Sequence, residues 1–292
     1  MRRQRPTRGL LTAGRRAAVL GSPIGHSLSP ALHRAAYQAL GLDWSYQAVD
    51  VDESSLAPFV AELDAAWAGL SLTMPLKRAV LPLLDTADDL VRRTGSCNTV
   101  VLAGGVRHGH NTDVAGIVAA IGEAGPPPPG PGVVLGGGAT ASSAVVALAG
   151  LGADPLVVLA RDPDRAAAVP AVAARAGGRA RVGPLTEAAV TEALASAAVV
   201  VSTLPSGAAD RLAPTVAAAA ASGTLLDVVY EPWPTALAAA WQASGGRVVA
   251  GDAMLLHQAA VQVRLMTGCE PPVAAMRTGM TAERRRRLAL PG

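Results

Sequence analysis

Lysine is almost missing from this chain. Of its 25 basic side chains 24 are arginine, and Lys77 stands alone. A bias of that kind puts arginine wherever a fixed positive charge will serve, which marks position 77 as a candidate for something arginine cannot do. An ammonium can release a proton and regain it, whereas a guanidinium stays protonated. The plain alternative is a solvated lysine at a helix start. Aromatic side chains are scarce too, at 3% with a single phenylalanine. A nucleic-acid surface would interleave aromatics with basic residues; here the arginines gather at the two ends and the net charge is only +3, so no nucleic-acid partner is expected. Cys97 and Cys269 are unrelated in spacing, which excludes a disulfide framework or a cysteine metal site. Half the residues are hydrophobic, yet no apolar run approaches the ~18 residues of a membrane span. The basic N-terminus lacks a secretory h-region, since Gly9 to Gly14 is too short and broken. Residues 1–15 are expected to be a disordered extension, Arg284–Arg287 a solvated helix end, and the protein cytoplasmic.

A length of 292 residues suggests two domains. In the first half, the strand Ala17–Leu20 runs into Gly21-Ser22-Pro23-Ile24-Gly25-His26-Ser27-Leu28-Ser29-Pro30. Ser27 and Ser29 are two apart, so an extended segment points both hydroxyls one way. Pro30 suits the start of a helix running to Gly41, with Ser29 as its N-cap. Two hydroxyls beside a helix N-terminus suit a small anion such as a carboxylate; a capped helix after a turn explains them equally. Trp44–Val49 reads as a strand, Ser54–Trp67 as a helix and Gly69–Thr73 as a third strand. Pro75 stops it, and Lys77 opens the next helix. Residues 97–101 and Val106–Gly109 read as a strand pair around Gly104-Gly105. Asp113 lies where a strand gives way to a helix, a natural N-cap position, and Asn98 could satisfy a neighbouring backbone group.

The segment Pro126-Pro127-Pro128-Pro129-Gly130-Pro131-Gly132 is the clearest break in composition. After it come strand Val133–Leu135, the loop Gly136-Gly137-Gly138-Ala139-Thr140-Ala141, and a helix to about Gly150. A Gly-x-Gly-x-x-Ala pattern in strand-turn-helix context is the setting of a dinucleotide site, where glycines let the backbone approach a pyrophosphate. The next strand, Leu156–Ala160, ends in Arg161-Asp162-Pro163-Asp164-Arg165. Arginine at that strand end accommodates a 2′-phosphate and points to NADP. Arg165 reaches the same side if a helix has begun, whereas Asp162 opposes a phosphate and keeps NAD open. Strands at Ala198–Ser202 and Thr224–Val229 alternate with helices, as in a parallel, doubly wound sheet. Thr203 and Tyr230 follow strand ends where such sheets bind ligands. On a last helix, from about Ala253 to Thr267, Met254 and Gln258 share a face.

Gly-Ser-Pro-Ile-Gly-His-Ser-Leu-Ser-Pro (21–30), Thr-Met-Pro-Leu-Lys (73–77), Cys-Asn-Thr (97–99), Asn-Thr-Asp (111–113) and the Met254…Gln258 helix, in this order, resemble the shikimate dehydrogenase family over nearly the whole chain. The resemblance implies an α/β fold of two domains: an N-terminal substrate domain (16–114 plus 253–288) and a Rossmann-type, doubly wound parallel sheet for NADP (115–252). It implies reversible reduction of 3-dehydroshikimate to shikimate, with Lys77 and Asp113 as the acid–base pair. Ser27 and Ser29 would hold the substrate carboxylate. Thr73, Asn98 and Gln258 (with Asp113) would hold the ring hydroxyls, and Tyr230 would line the pocket. Gly136, Gly137, Gly138, Ala139, Thr140, Arg161, Arg165 and Thr203 would hold the cofactor, with Gly251 and Met254 against the nicotinamide. Ala160 and Asp162 depart from the family's Asn-Arg-Thr-x-x-Arg signature, and Ala139 stands where a glycine is usual. Quinate or an amino analogue with NAD is therefore the rival reading, and a non-catalytic sensor of shikimate or NADP a distant one. The expected state is a monomer or homodimer.

Overall fold

The computed structural model describes residues 14–219 and 222–289. Of the expected N-terminal extension, residues 1–13 lie outside the described residues. The chain forms two compact units. One comprises the described residues up to Arg92, Cys97–Thr112 and the residues from Gln258 onward; the other comprises Arg93–Ser96 and Asp113–His257.

In the first unit, β1 (Arg15–Gly21), β2 (Trp44–Asp50), β3 (Trp67–Leu72), β4 (Thr86–Ala87), β5 (Thr99–Ala103) and β6 (Val106–His110) form one sheet, ordered β2-β1-β3-β5-β6-β4. β1 runs parallel to β2 and β3. β5 runs antiparallel to β3 and to β6, and the tight turn at Gly104-Gly105 joins β5 to β6. The sheet is therefore mixed. The buried residues Ala18, Leu20, Leu56, Leu70, Leu72, Leu76, Val80 and Val100 share one core. β1 is longer than the sequence suggested: Arg15 pairs with Trp44, donates to the Trp67 carbonyl at 2.7 Å and lies over the Trp44 ring. Residue 15 thus belongs to the sheet and not to an extension.

The helix expected over Ser54–Trp67 is Glu53–Ala61. Asp52 caps it by accepting from Ser55 N. It stops because the Asp64 carboxylate accepts the Ala66 N–H and pairs with Arg16, which turns the chain into β3 at Trp67. Ser29 is not an N-cap. Leu28 holds that place with helical dihedrals, and Ser29 is the first residue of the Ser29–Ala39 helix. Ser27 to Ser29 is thus not extended, so the alternation argument does not apply there.

His33 is fully buried, stacked on Tyr46 with ring centroids 3.9 Å apart, and hydrogen-bonded through Nε2–H to Gln262 Oε1 at 3.2 Å. Burial lowers its pKa from 6.5 to about 3, against a smaller opposing effect of the Gln262 bond. The folded chain therefore keeps His33 neutral while the unfolded chain takes up a proton below pH 6.5. Stability from this group is full above pH 6.5 and is lost as pH falls towards 3, by ~2 kcal/mol between pH 6.5 and 5. Denaturant unfolding at both pH values should show that loss in the native chain and a correspondingly smaller one in His33→Gln; equal losses would contradict the assignment.

The second unit contains β7 (Gly132–Leu135), β8 (Leu156–Ala160), β9 (Ala180–Pro184), β10 (Val199–Ser202), β11 (Thr224–Asp227) and β12 (Arg247–Ala250), ordered β12-β11-β10-β7-β8-β9 and parallel throughout. This is a doubly wound sheet whose strand order reverses beside β7, the place where such sheets bind ligands. Leu135, Val157, Leu159, Val200, Leu225, Leu237 and Trp241 lie in one core. β11 stops at Asp227, two residues before the expected end. The Asp227 carboxylate accepts the Val229 N–H at 3.2 Å and the Thr235 hydroxyl at 2.8 Å, turning the Tyr230 segment out of the sheet. Burial raises the Asp227 pKa.

Candidate active site

Ser27, Ser29, Thr73, Lys77, Asn98 and Gln258 all belong to the first unit. Backbone bonds tie their segments together at the ends of β1 and β3. Thr73 N–H donates to Leu20 O, Ser22 N–H to Met74 O, Leu72 N–H to Asn98 O and Cys97 N–H to Lys77 O. The short Leu76–Ala79 helix that carries Lys77 is thus fixed against the strand entry that carries Asn98. Lys77 is half-buried. Ser29 is buried, and its N–H donates to Ser27 Oγ at 3.3 Å, so Ser27 does the turn-closing work expected of Ser29.

Asn98 lies just before β5 and is buried. Its Oδ1 accepts the Thr112 N–H at 2.8 Å, which is the backbone role foreseen for it. Its Nδ2 reaches Thr112 Oγ1 at 2.9 Å and Gln258 Oε1 at 3.3 Å. Behind this cluster lies a second layer that the sequence did not mark. Gln262 Nε2 donates to Thr99 Oγ1 at 3.0 Å, Thr99 Oγ1 donates to Asn98 Oδ1 at 3.0 Å, and Gln262 Oε1 accepts from Ser71 Oγ at 2.9 Å. Ser71 in turn accepts from the Tyr46 hydroxyl. A fully satisfied buried network of this kind holds an amide in one orientation. The available signal was the helical spacing, since Gln262 lies four residues beyond Gln258 and continues the face of Met254.

Asp113, Tyr230, Gly136–Thr140, Arg161, Arg165, Thr203, Gly251 and Met254 belong to the second unit. Asp113 is buried and is the first residue of the Asp113–Glu123 helix, directly after Thr112. Tyr230 is half-buried in the loop after β11. The glycine loop joins β7 to the Ala139–Gly150 helix. Gly136 has φ +119°, and a Cβ there would lie 2.3 Å from Thr203 Oγ1, so Thr203 packs directly on this glycine. Thr203 Oγ1 also donates to Leu135 O at 3.0 Å. Gly138, the helix N-cap, has ordinary dihedrals, and among the described residues no atom would meet its Cβ within 4 Å. Gly251 opens the Gly251–Thr267 helix, with a Cβ site only 2.1 Å from Val228 O. Met254 is buried on that helix.

Arg161 is exposed at the end of β8. Residues Pro163–Ala166 form a 3-10 turn in place of the α-helix through which Arg165 was expected to reach back; the Arg165 side chain lies outside the described residues. Asp162 caps that turn by accepting from Asp164 N at 3.1 Å. Among the described residues no helix is long and apolar enough to cross a membrane, and no group of three or more His, Cys, Asp or Glu could hold a metal ion.

Comparison with known proteins places the chain in a family. Residues 19–100 match the family model of the shikimate dehydrogenase substrate binding domain, and residues 253–278 that of the shikimate 5'-dehydrogenase C-terminal domain. The shikimate dehydrogenase (NADP(+)) of Moorella thermoacetica is 37% identical over 265 residues, 89% of this chain and 90% of that protein. The crystal structure of Mycobacterium tuberculosis shikimate dehydrogenase matches with a TM-score of 0.83 at 42% identity, covering 92% of this chain and 99% of that one. That of the Thermus thermophilus enzyme in complex with NADP(H) and shikimate matches with 0.78 at 34%, covering 92% and 99%. A quinate dehydrogenase from Corynebacterium glutamicum in complex with NAD matches with 0.80 at 31%, again covering 92% and 99%. With its strand order, its glycine loop and these relatives in agreement, the chain belongs to the shikimate dehydrogenase family.

Proposed function

We propose that the protein catalyses the reversible, NADP-dependent reduction of 3-dehydroshikimate to shikimate, acting in the cytoplasm as a monomer or homodimer. The observation that carries the substrate side is the buried Asn98–Thr112–Gln258 cluster. It holds directed amides in the same unit as the lone lysine and the Ser27–Ser29 turn. The cofactor side rests on the glycine loop. Thr203 fills the space over Gly136, while the space over Gly138, at the start of a helix of 12 residues, is left open by the described residues. A pyrophosphate fits such a place, where backbone can approach it closely and the helix N-terminus favours negative charge.

The bound nicotinamide supplies the hydride to the ring ketone carbon. In this proposal Lys77 gives its proton to the ketone oxygen as it becomes an alcohol, and takes one back in the reverse direction. Asp113 accepts a hydrogen bond from the ammonium and orients it. Ser27 and Ser29 hold the carboxylate, Thr73, Asn98 and Gln258 hold ring hydroxyls, and Tyr230 lines the pocket. Incubation with 3-dehydroshikimate and NADPH, with the product identified chromatographically, should yield shikimate; unchanged substrate would refute the reaction.

The quinate or amino-analogue reading with NAD draws on Asp162 and on the quinate dehydrogenase relative. Against it, the Asp162 carboxylate is engaged in capping its own turn, while Arg161 is exposed and carries the charge a 2′-phosphate needs. Removing a charge-assisted contact of this sort weakens binding about tenfold or more. Arg161→Ala should raise the KM for NADP by that factor and leave the KM for NAD within about twofold; equal changes for both would remove Arg161 from the 2′-phosphate site.

A further inference from the structure

The closing arginine run, read from sequence as a solvated helix end, does more than that at one position. Arg287 is the last of the four, near the end of the Val273–Leu288 helix, and its side chain is only 23% exposed. Its Nη1 donates to His26 O at 2.8 Å and its Nη2 to Ser27 O at 2.9 Å. Both forks of the guanidinium thus clasp two consecutive carbonyls of the turn that presents Ser27 and Ser29. Nε of the same side chain donates to Glu283 Oε1 at 2.9 Å, which fixes the fork from behind. Arg286 shares Glu283, and the two arginines hold that carboxyl down to about 2, so it stays ionised at any working pH. The helix itself is seated on Ser29–Ala39, where Gly279 allows close approach to Ala31 and Ala35.

Two physical consequences follow for an anion at Ser27 and Ser29. Carbonyl oxygens near a carboxylate repel it; drawing two of them onto a cation removes that repulsion and adds a positive charge in a partly desolvated place. The clasp also fixes the turn in which Ser29 N–H is bonded to Ser27 Oγ, so the hydroxyls are ordered before the ligand arrives. The family match at the C-terminal end stops at residue 278, short of both Glu283 and Arg287.

We propose that Arg287 is a positioning residue for the carboxylate end of the substrate, acting through the His26 and Ser27 carbonyls with Glu283 as its anchor. This rests on the proposed assignment of Ser27 and Ser29 to the carboxylate. Arg287→Ala should raise the KM for shikimate about five- to thirty-fold, with kcat and the KM for NADP within about twofold. Arg287→Lys, a point charge that cannot fork onto two carbonyls, should fall between, and Glu283→Gln should shift KM in the same direction by less. A merely structural role is separated by two inhibitors, a cyclohexene carboxylate analogue and its carboxamide. The alanine variant should lose affinity for the carboxylate and keep its affinity for the carboxamide. Equal losses for both, or an unchanged KM in Arg287→Ala and Arg287→Lys alike, would overturn the proposal. Should Arg287→Ala fail to fold, the lysine variant and Glu283→Gln carry the same inhibitor comparison. Absence of shikimate oxidation by the native protein would instead refute the underlying reaction.

Discussion

Replacement of Lys77 by alanine is expected to lower kcat for shikimate oxidation by roughly 10²–10⁴-fold, the usual contribution of a general acid or base, with only a modest change in KM. The more telling variant is Lys77→Arg. It keeps the charge and nearly the length, and in a chain with 24 arginines it is the substitution the composition itself favours. Guanidinium cannot release its proton at any useful rate near neutral pH, so Lys77→Arg should be almost as inactive as Lys77→Ala. Neither change should disturb the fold. Position 77 is held through its main chain, by Cys97 N–H on Lys77 O, and the neighbouring Leu76 rather than Lys77 enters the core. A chain that still unfolds cooperatively, with collapsed turnover, is therefore the expected pair of results. Near-normal turnover in Lys77→Arg would mean that charge alone is needed at this position.

The second large effect concerns stability rather than chemistry. Gly251 follows β12 directly, and a Cβ on it would stand 2.1 Å from Val228 O and 2.3 Å from Val228 C. Both are backbone atoms. They follow a strand paired with β12 up to Asp227 and Ala250, so neither side can retreat without breaking the ladder. Gly251→Ala should cost ~3 kcal/mol, the upper end for overpacking, and lower the melting temperature of the second unit by ~6–12 °C. Gly138→Ala is the contrasting case. There a Cβ meets no atom of the described residues and the backbone is ordinary, so thermal stability should stay level while NADP binding weakens through the lost close approach. Differential scanning calorimetry with and without NADP separates the two. A stable Gly251→Ala would contradict the packing argument, and a Gly138→Ala that binds NADP normally would contradict the placement of the pyrophosphate.

Much of the second unit was legible because local signals and topology agree there. Apolar runs such as Leu156–Ala160 are buried strands at the bounds read from sequence, and the glycine loop sits between strand and helix as its pattern requires. The first unit was harder because its decisive interactions are remote. The helix read over Ser54–Trp67 ends at Ala61. Its end is set by Asp64 meeting Arg16, 48 residues away. The hairpin at Gly104-Gly105 was legible from its glycines and forms as read, whereas the antiparallel pairing of β5 with β3 has no local signal. Asn98, Thr99 and Thr112 lie in motifs, yet Gln262, which completes the network behind them, is ordinary in type. Only folding brings Gln262 to Thr99 across 163 positions. Arg287 is similar: one arginine of four in a row, distinguished by what lies 260 residues before it.

The most direct test of the account is initial-rate oxidation of shikimate and of quinate, each with NADP and with NAD, on the native protein. The account predicts that shikimate with NADP has the highest kcat/KM of the four pairs, by at least about tenfold over the same substrate with NAD. A preference for NAD, or for quinate, would contradict it and make Asp162 the determinant of cofactor choice.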